Sequence, residues 1–150
     1  MSKGRLAHET TLMVRDSCLC LSAQQVGRAL ARHFDEALRP LDLTNGQYSL
    51  LMSLNQQKPP SIGDVAQILA IDRTTLTAAL KPLERRGLIA IKPDPEDKRS
   101  RRLILTPAGH ALLVKALPIW KKHHNRLEKH LGQPNADRLR EDLQFLARLL

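Results

Sequence analysis

Residues 94–106 read DPEDKRSRRLILT. A proline- and charge-rich run leads directly into an alternating apolar stretch. Residues 88–91 form a short strand-like run just upstream. Leu103, Ile104 and Leu105 form the return strand, so residues 92–100 are the charged loop of a hairpin. Lys98, Arg99, Arg101 and Arg102 crowd its tip and its return. One reading is a solvated hairpin tip. The sharper one is a finger for a polyanion, because cations this dense repel one another without an anion nearby. Beside a duplex, an arginine at the tip could enter the narrow, negative minor groove while its neighbours meet phosphate.

Upstream of the hairpin the pattern is helical. Residues 18–38 repeat apolar side chains at steps of three or four: Leu19, Ala23, Val26, Leu30, Phe34 and Ala37. Pro40 ends that run. Thr44 and Gln47 make a capping box for a second helix, which carries Leu50, Leu51 and Leu54. Lys58-Pro59-Pro60 breaks it. Ser61 caps a third helix with Asp64 in its first turn and Ile62, Val65, Ala66 and Leu69 on one face. Asp72 is the cap candidate for a fourth, RTTLTAALKPLERRG, whose apolar stripe is Leu76, Ala79, Leu80 and Leu83. Gly87 is a natural stop.

Downstream, Thr106-Pro107 reopens a helix with Thr as cap and Pro at the first position. Leu113, Leu117, Trp120, His124, Leu127 and Leu131 form a seam at steps of four and three, with a kink expected at Pro118. Residues 132–134 interrupt it. The last helix shows Leu139, Leu143, Leu146 and Leu150 on one face. That face ends a short chain and needs a cover, from a second copy or from the protein's own first helix.

The chain has 150 residues and a net charge of +9. Residues 1–57 hold 6 basic and 5 acidic side chains, residues 58–109 hold 10 and 6, and residues 110–150 hold 8 and 4. The positive excess therefore lies in the middle and the C-terminal part, which suits an anionic partner. No apolar run approaches the roughly 20 residues of a membrane span, and the N-terminus has no apolar signal core. A soluble cytoplasmic chain with no membrane partner is expected.

Four helices, a hairpin and two more helices predict a mainly α fold with a small β-hairpin wing: a winged helix-turn-helix plus a helical dimerisation region. The divisions expected are 1–40 for the N-terminal part of the dimerisation region, 41–109 for the winged domain and 110–150 for the C-terminal dimerisation helices. The fourth helix turns Arg73, Thr74, Thr75, Thr77, Ala78 and Lys81 away from its apolar stripe. Small polar residues flanked by cations suit a major groove, where the backbone must come close. The same surface would also serve an ordinary amphipathic helix with one solvated side.

Three stretches together resemble the MarR family of transcriptional regulators: LDLTNGQYSLLMSL (41–54), SIGDVAQILAIDRTTLTAALKPLERRGLI (61–89) and DPEDKRSRRLILTPAG (94–109). The Asp-x-Arg-Ser wing followed by Leu-x-Leu-Thr-x-x-Gly is the most specific piece. The resemblance implies a homodimer on a pseudo-palindromic double-stranded DNA operator. It also implies a repressor released by a small-molecule effector. Residue by residue, it implies that Arg99 is the minor-groove arginine of the wing and Asp97 its salt-bridging partner, and that Arg73, Thr74, Thr75, Thr77 and Lys81 lie on the recognition helix. With Ser61, Lys98 and Arg101 these make the candidate DNA-binding set. Pro82 departs from a regular helix by removing the hydrogen bond to the Ala78 carbonyl, so base contacts are expected from the first two turns.

Cys18 and Cys20 sit two apart on the expected first helix and point to roughly opposite sides. They read as small buried hydrophobes or as a thiol redox switch. One branch of the family senses organic peroxides through a cysteine near the start of its first helix, and Cys18 sits in a similar place. That branch surrounds its cysteine with tyrosines, whereas Tyr48 is the only one here, and Arg15 is the nearby cation. A third reading is a winged module for protein or RNA. No metal site or cofactor is expected: His123 and His124 diverge on a helix, and His124 falls on the apolar seam. No phosphate loop, nucleophile elbow or carboxylate dyad points to an enzyme.

Overall fold

The computed structural model describes residues 4–150 and divides the chain into two units, Met1–His33 and Phe34–Leu150. The first holds α1 (His8–Ser17) and the start of α2 (Leu19–Leu38). Helix α1 was not expected from the sequence, and it buries no side chain. Cys18 separates the two helices rather than lying within one. Its carbonyl accepts the Ser22 N–H at 3.1 Å and its sulfur accepts the Leu21 N–H at 3.4 Å, closing the first turn of α2.

The second unit continues α2 into a 3-10 turn at Arg39–Leu41, where Pro40 ends the regular helix. Next come α3 (Asn45–Leu54), α4 (Ile62–Leu69) and α5 (Arg73–Arg85). The expected capping boxes form at Thr44/Gln47 and Ser61/Asp64, and Asp72 caps α5. Ala70 adopts a left-handed conformation (φ 51°) that turns α4 sharply into α5. Leu38, Leu51, Val65, Leu76, Leu80, Leu83 and Leu103 are fully buried and make the core of this unit.

The hairpin is β1 (Ile89–Pro93) and β2 (Arg101–Leu105), antiparallel, with Ile91 opposite Leu103 and Lys92 opposite Arg102. Both strands run two residues nearer the tip than the apolar pattern suggests. Arg101 and Arg102 are therefore strand residues, and the loop is residues 94–100. The outer edge of β2 is also occupied: Ser61 bridges Arg102, and the Leu103 N–H donates to the Pro60 carbonyl at 2.9 Å.

Helix α6 (Pro107–Leu131) continues through Pro118, and α5 through Pro82. In both cases the residue four earlier, Val114 or Ala78, is exposed, so water can take the carbonyl that proline leaves unserved. In α5 the turns around Pro82 pack on the core through buried Leu80 and Leu83; Ala79, placed on the inner stripe by spacing, is exposed. Helix α7 (Gln133–Leu149) buries only Ala136, and Leu139, Leu143, Leu146 and Leu150 are exposed. No helix of the described residues is long and apolar enough to cross a membrane.

Gly109 seats α6 against the wing root. A Cβ there would stand 2.1 Å from the Leu88 carbonyl oxygen and 2.8 Å from a Leu105 methyl. Gly109→Ala should therefore destabilise the fold by about 1–3 kcal/mol or more in urea unfolding. Gly46→Ala in α3, where a Cβ meets nothing within 4 Å, should instead stabilise by up to ~1 kcal/mol.

Candidate nucleic-acid interface

The start of α4, the outward side of α5 and the wing converge on one cleft. Its volume is about 390 Å³, and its charged and polar lining is Ser61, Arg73, Thr77, Asp97, Arg99, Ser100 and Arg101. Thr74, Thr75, Lys81 and Lys98 stand outside it, exposed.

Most polar groups of this region are committed to the fold. Ser61 Oγ accepts the Asp64 N–H at 3.1 Å, and Asp64 returns the bond to the Ser61 N–H at 3.0 Å. The Ser61 backbone N–H and side chain, both bonded to the Asp64 carboxylate, hold it below the usual carboxylate range, with a smaller contribution from the nearby charge of Arg102. Asp72 accepts the Thr75 N–H at 2.7 Å and the Thr75 hydroxyl at 2.9 Å, which lowers its own pKa. The Thr77 hydroxyl donates to the Arg73 carbonyl at 2.8 Å. Both threonines therefore spend their hydroxyl protons inside the helix. Toward a ligand they can offer only lone pairs and methyl groups, which suits base amino groups and the thymine methyl.

The cations are differently placed. Among the described residues, no ion pair engages Arg73, Lys81, Lys98, Arg99 or Arg101. The Arg73 guanidinium lies against Gly63 at the start of α4, where a Cβ would approach it to 2.9 Å.

The wing differs from the resemblance in one respect. Asp97 does not form an ion pair with the Arg99 guanidinium. Its carboxylate accepts the Arg99 backbone N–H at 3.0 Å, and its carbonyl accepts the Ser100 N–H at 2.9 Å, so Asp97 shapes the loop and leaves the guanidinium free. The carboxylate that does pair is Asp94, 6% exposed, which binds Arg102 at 2.8 Å. In the sequence, an aspartate between Pro93 and Pro95 looks like any other loop acid.

Elsewhere, Cys18 is half-buried and Cys20 exposed, and neither is disulfide-bonded. Arg15, the cation near Cys18, is paired with Asp16 at 2.6 Å. His124 stacks on Trp120 with ring centroids 4.4 Å apart, and its Nε2 lies 3.9 Å from Glu128. Among the described residues there is no cluster of His, Cys, Asp and Glu that could hold a metal ion.

Comparison with known proteins agrees with this geometry. The model of the MarR family matches residues 43–100. The organic hydroperoxide resistance transcriptional regulator of Bacillus subtilis is 32% identical over 71% of this chain and 73% of its own length. The Mycobacterium tuberculosis transcriptional regulator MosR, solved with DNA, superposes with a TM-score of 0.81 at 32% identity, over 89% of this chain and 96% of that one. The transcriptional repressor CouR, bound to a 23-mer DNA duplex, gives 0.81 at 29% identity over 96% and 99%. CouR bound to p-coumaroyl-CoA gives 0.81 at 28% over 91% and 96%.

The Asp72 cap predicts a pH signature. Its carboxyl sits below the ordinary value of 3.8, so its stabilising effect is fully present above that value and is lost as pH falls through the lowered folded-state pKa. Asp72→Ala should lower Tm at pH 7, and the deficit should shrink toward pH ~2. An equal deficit at both pH values would remove the charged cap from the account.

Proposed function

The chain belongs to the MarR family, and from that membership we propose that it is a sequence-specific DNA-binding regulator, a homodimeric repressor that a small-molecule effector releases from a pseudo-palindromic operator. The observation that carries this reading is the cleft in which Arg73 of α5 and Arg99 and Arg101 of the wing stand unpaired around the start of α4. Helix α5 enters the major groove with Arg73, Thr74, Thr75, Thr77 and Lys81 outward, and its buried second half packs on the core. Arg99 enters the adjacent minor groove, and Lys98 and Arg101 meet phosphate.

Dimerisation falls to residues 1–40 and 110–150, flanking the winged domain at 41–109. The exposed Leu139, Leu143, Leu146 and Leu150 of the C-terminal end then find their cover in the second copy. Two recognition helices about one helical turn apart read the half-sites. An effector that favours a different spacing needs a coupling of only about 1–3 kcal/mol to change affinity about 5- to 150-fold. Acting on an operator places the protein in the cytoplasm.

The deciding experiment is selection of duplexes from sheared genomic DNA at near-physiological salt. Recovery of a few promoter fragments sharing an inverted repeat is expected. Equal retention of random DNA and structured RNA would overturn the reading in favour of a general basic module. On the selected duplex, Arg99→Ala should weaken binding and reduce the salt slope by about one unit. Thr75→Ala should change the preferred sequence and also lower Tm, because the same hydroxyl serves the Asp72 cap.

One observation favours a second trigger. Cys18 sits half-buried where α1 gives way to α2, and the Bacillus subtilis relative is a hydroperoxide-resistance regulator. Oxidation at Cys18 or Cys20 would then replace the effector. Peroxide should release the wild-type protein from DNA and leave Cys18→Ser bound. Release of both would sink a Cys18 switch.

A further inference from the structure

We infer that Asp94 and Arg102 form a lock that fixes the direction of the wing, making Arg102 a positioning residue rather than one more cation for DNA. The inference rests on the DNA-binding reading above. Arg102 stands among Lys98, Arg99 and Arg101, where charge alone would assign it to phosphate. Its guanidinium is already spent. Nε donates to Asp94 Oδ2 at 2.9 Å, a terminal nitrogen lies 2.8 Å from the same oxygen, and Nη1 donates to the Pro59 carbonyl at 3.2 Å. Asp94 is held in turn. Its other oxygen accepts the Glu96 N–H at 3.0 Å, and its own N–H donates to the Ser100 carbonyl at 3.0 Å, closing the loop at its base.

The lock joins three pieces of chain: the end of β1, the start of β2 and the Pro59–Pro60–Ser61 segment that leads into α4. A two-stranded hairpin alone is marginally stable and strongly twisted. Nothing in the β1–β2 pairing fixes the angle at which the loop leaves the domain. The Arg102 side chain and the β2 backbone bonds to residues 60 and 61 supply that angle. Arg99 lies within the closed loop and Arg73 lies against Gly63 at the start of α4, so the same ties set the cleft between them.

A buried carboxylate also needs a reason on a surface meant for a polyanion. Within a Debye length of about 8–10 Å, its charge opposes DNA. Charge alone therefore predicts that removing it strengthens binding, whereas a lock predicts the opposite sign.

The experiment uses the duplex selected by the wild-type protein. Affinity and thermal melting are measured for wild type, Asp94→Asn and Arg102→Lys, each with and without Arg99→Ala. Asp94→Asn should weaken binding about fivefold or more, the low end of one groove-contacting arginine. Arg102→Lys keeps the charge but cannot hold Asp94 and Pro59 together, and should weaken binding in the same direction. In the Arg99→Ala background both should cost little more, because their effect passes through the placement of Arg99.

Asp94→Asn binding as tightly as wild type, or tighter, would overturn the inference. So would losses that simply add to that of Arg99→Ala. If Asp94→Asn does not fold, Arg102→Lys carries the same comparison. Failure of wild type to retain any duplex would instead refute the DNA reading itself.

Discussion

Strand β2 is held on both edges, by β1 on one side and by the backbone of Pro60 and Ser61 on the other, and between them Leu103 is fully buried in the common hydrophobic core. This double attachment makes one body of two local motifs. Without it, a helix-turn-helix and a hairpin would merely be neighbours in sequence. With it, the loop that carries Arg99 and the turn that starts α4 share a hydrogen-bonded framework. Arg73, laid across Gly63, stands beside both. The geometry of the candidate interface follows from that framework.

The polar side chains of the interface divide into two groups. The caps of α4 and α5 use Ser61, Asp64, Asp72 and Thr75 to serve amides that a helix leaves open at its first turn. Asp97 does the same for the wing loop. What remains uncommitted is cationic: Arg73, Lys81, Lys98, Arg99 and Arg101. A surface on which the anions serve the backbone and the cations face outward attracts phosphate without needing a large net charge in the domain. The threonines contribute shape and acceptor atoms rather than donors.

The apolar side chains divide as well. The winged domain buries most of its leucines, while α7 and the residue after it leave Leu139, Leu143, Phe145, Leu146, Leu149 and Leu150 in water. A continuous apolar face on a terminal helix is unfavourable in an isolated copy and becomes stabilising once it is covered. Membership of a family whose solved relatives include a regulator bound to DNA and a repressor bound both to DNA and to p-coumaroyl-CoA gives that face its functional setting.

The elements legible in the sequence are those whose cause is local. Thr44/Gln47, Ser61/Asp64, Asp72 and Thr106-Pro107 announce helix starts because a cap acts within three residues, and the stripes of α4 and α5 are visible because burial repeats with the helical period. The cations of α5 and the wing were legible for the same reason. Helix α1 was not, since it buries nothing and so carries no apolar stripe. The hairpin ran longer than its apolar pattern because backbone pairing continues through Lys92, Pro93, Arg101 and Arg102 whatever their side chains. Asp94 and Arg102 mark the limit. In sequence they are one acid among several and one cation among four. Only when the hairpin docks beside Pro59 does Asp94 lose its water and Arg102 become the group that replaces it. That exchange depends on segments more than 30 residues apart, 43 in the case of Arg102 and Pro59, and no local pattern encodes it.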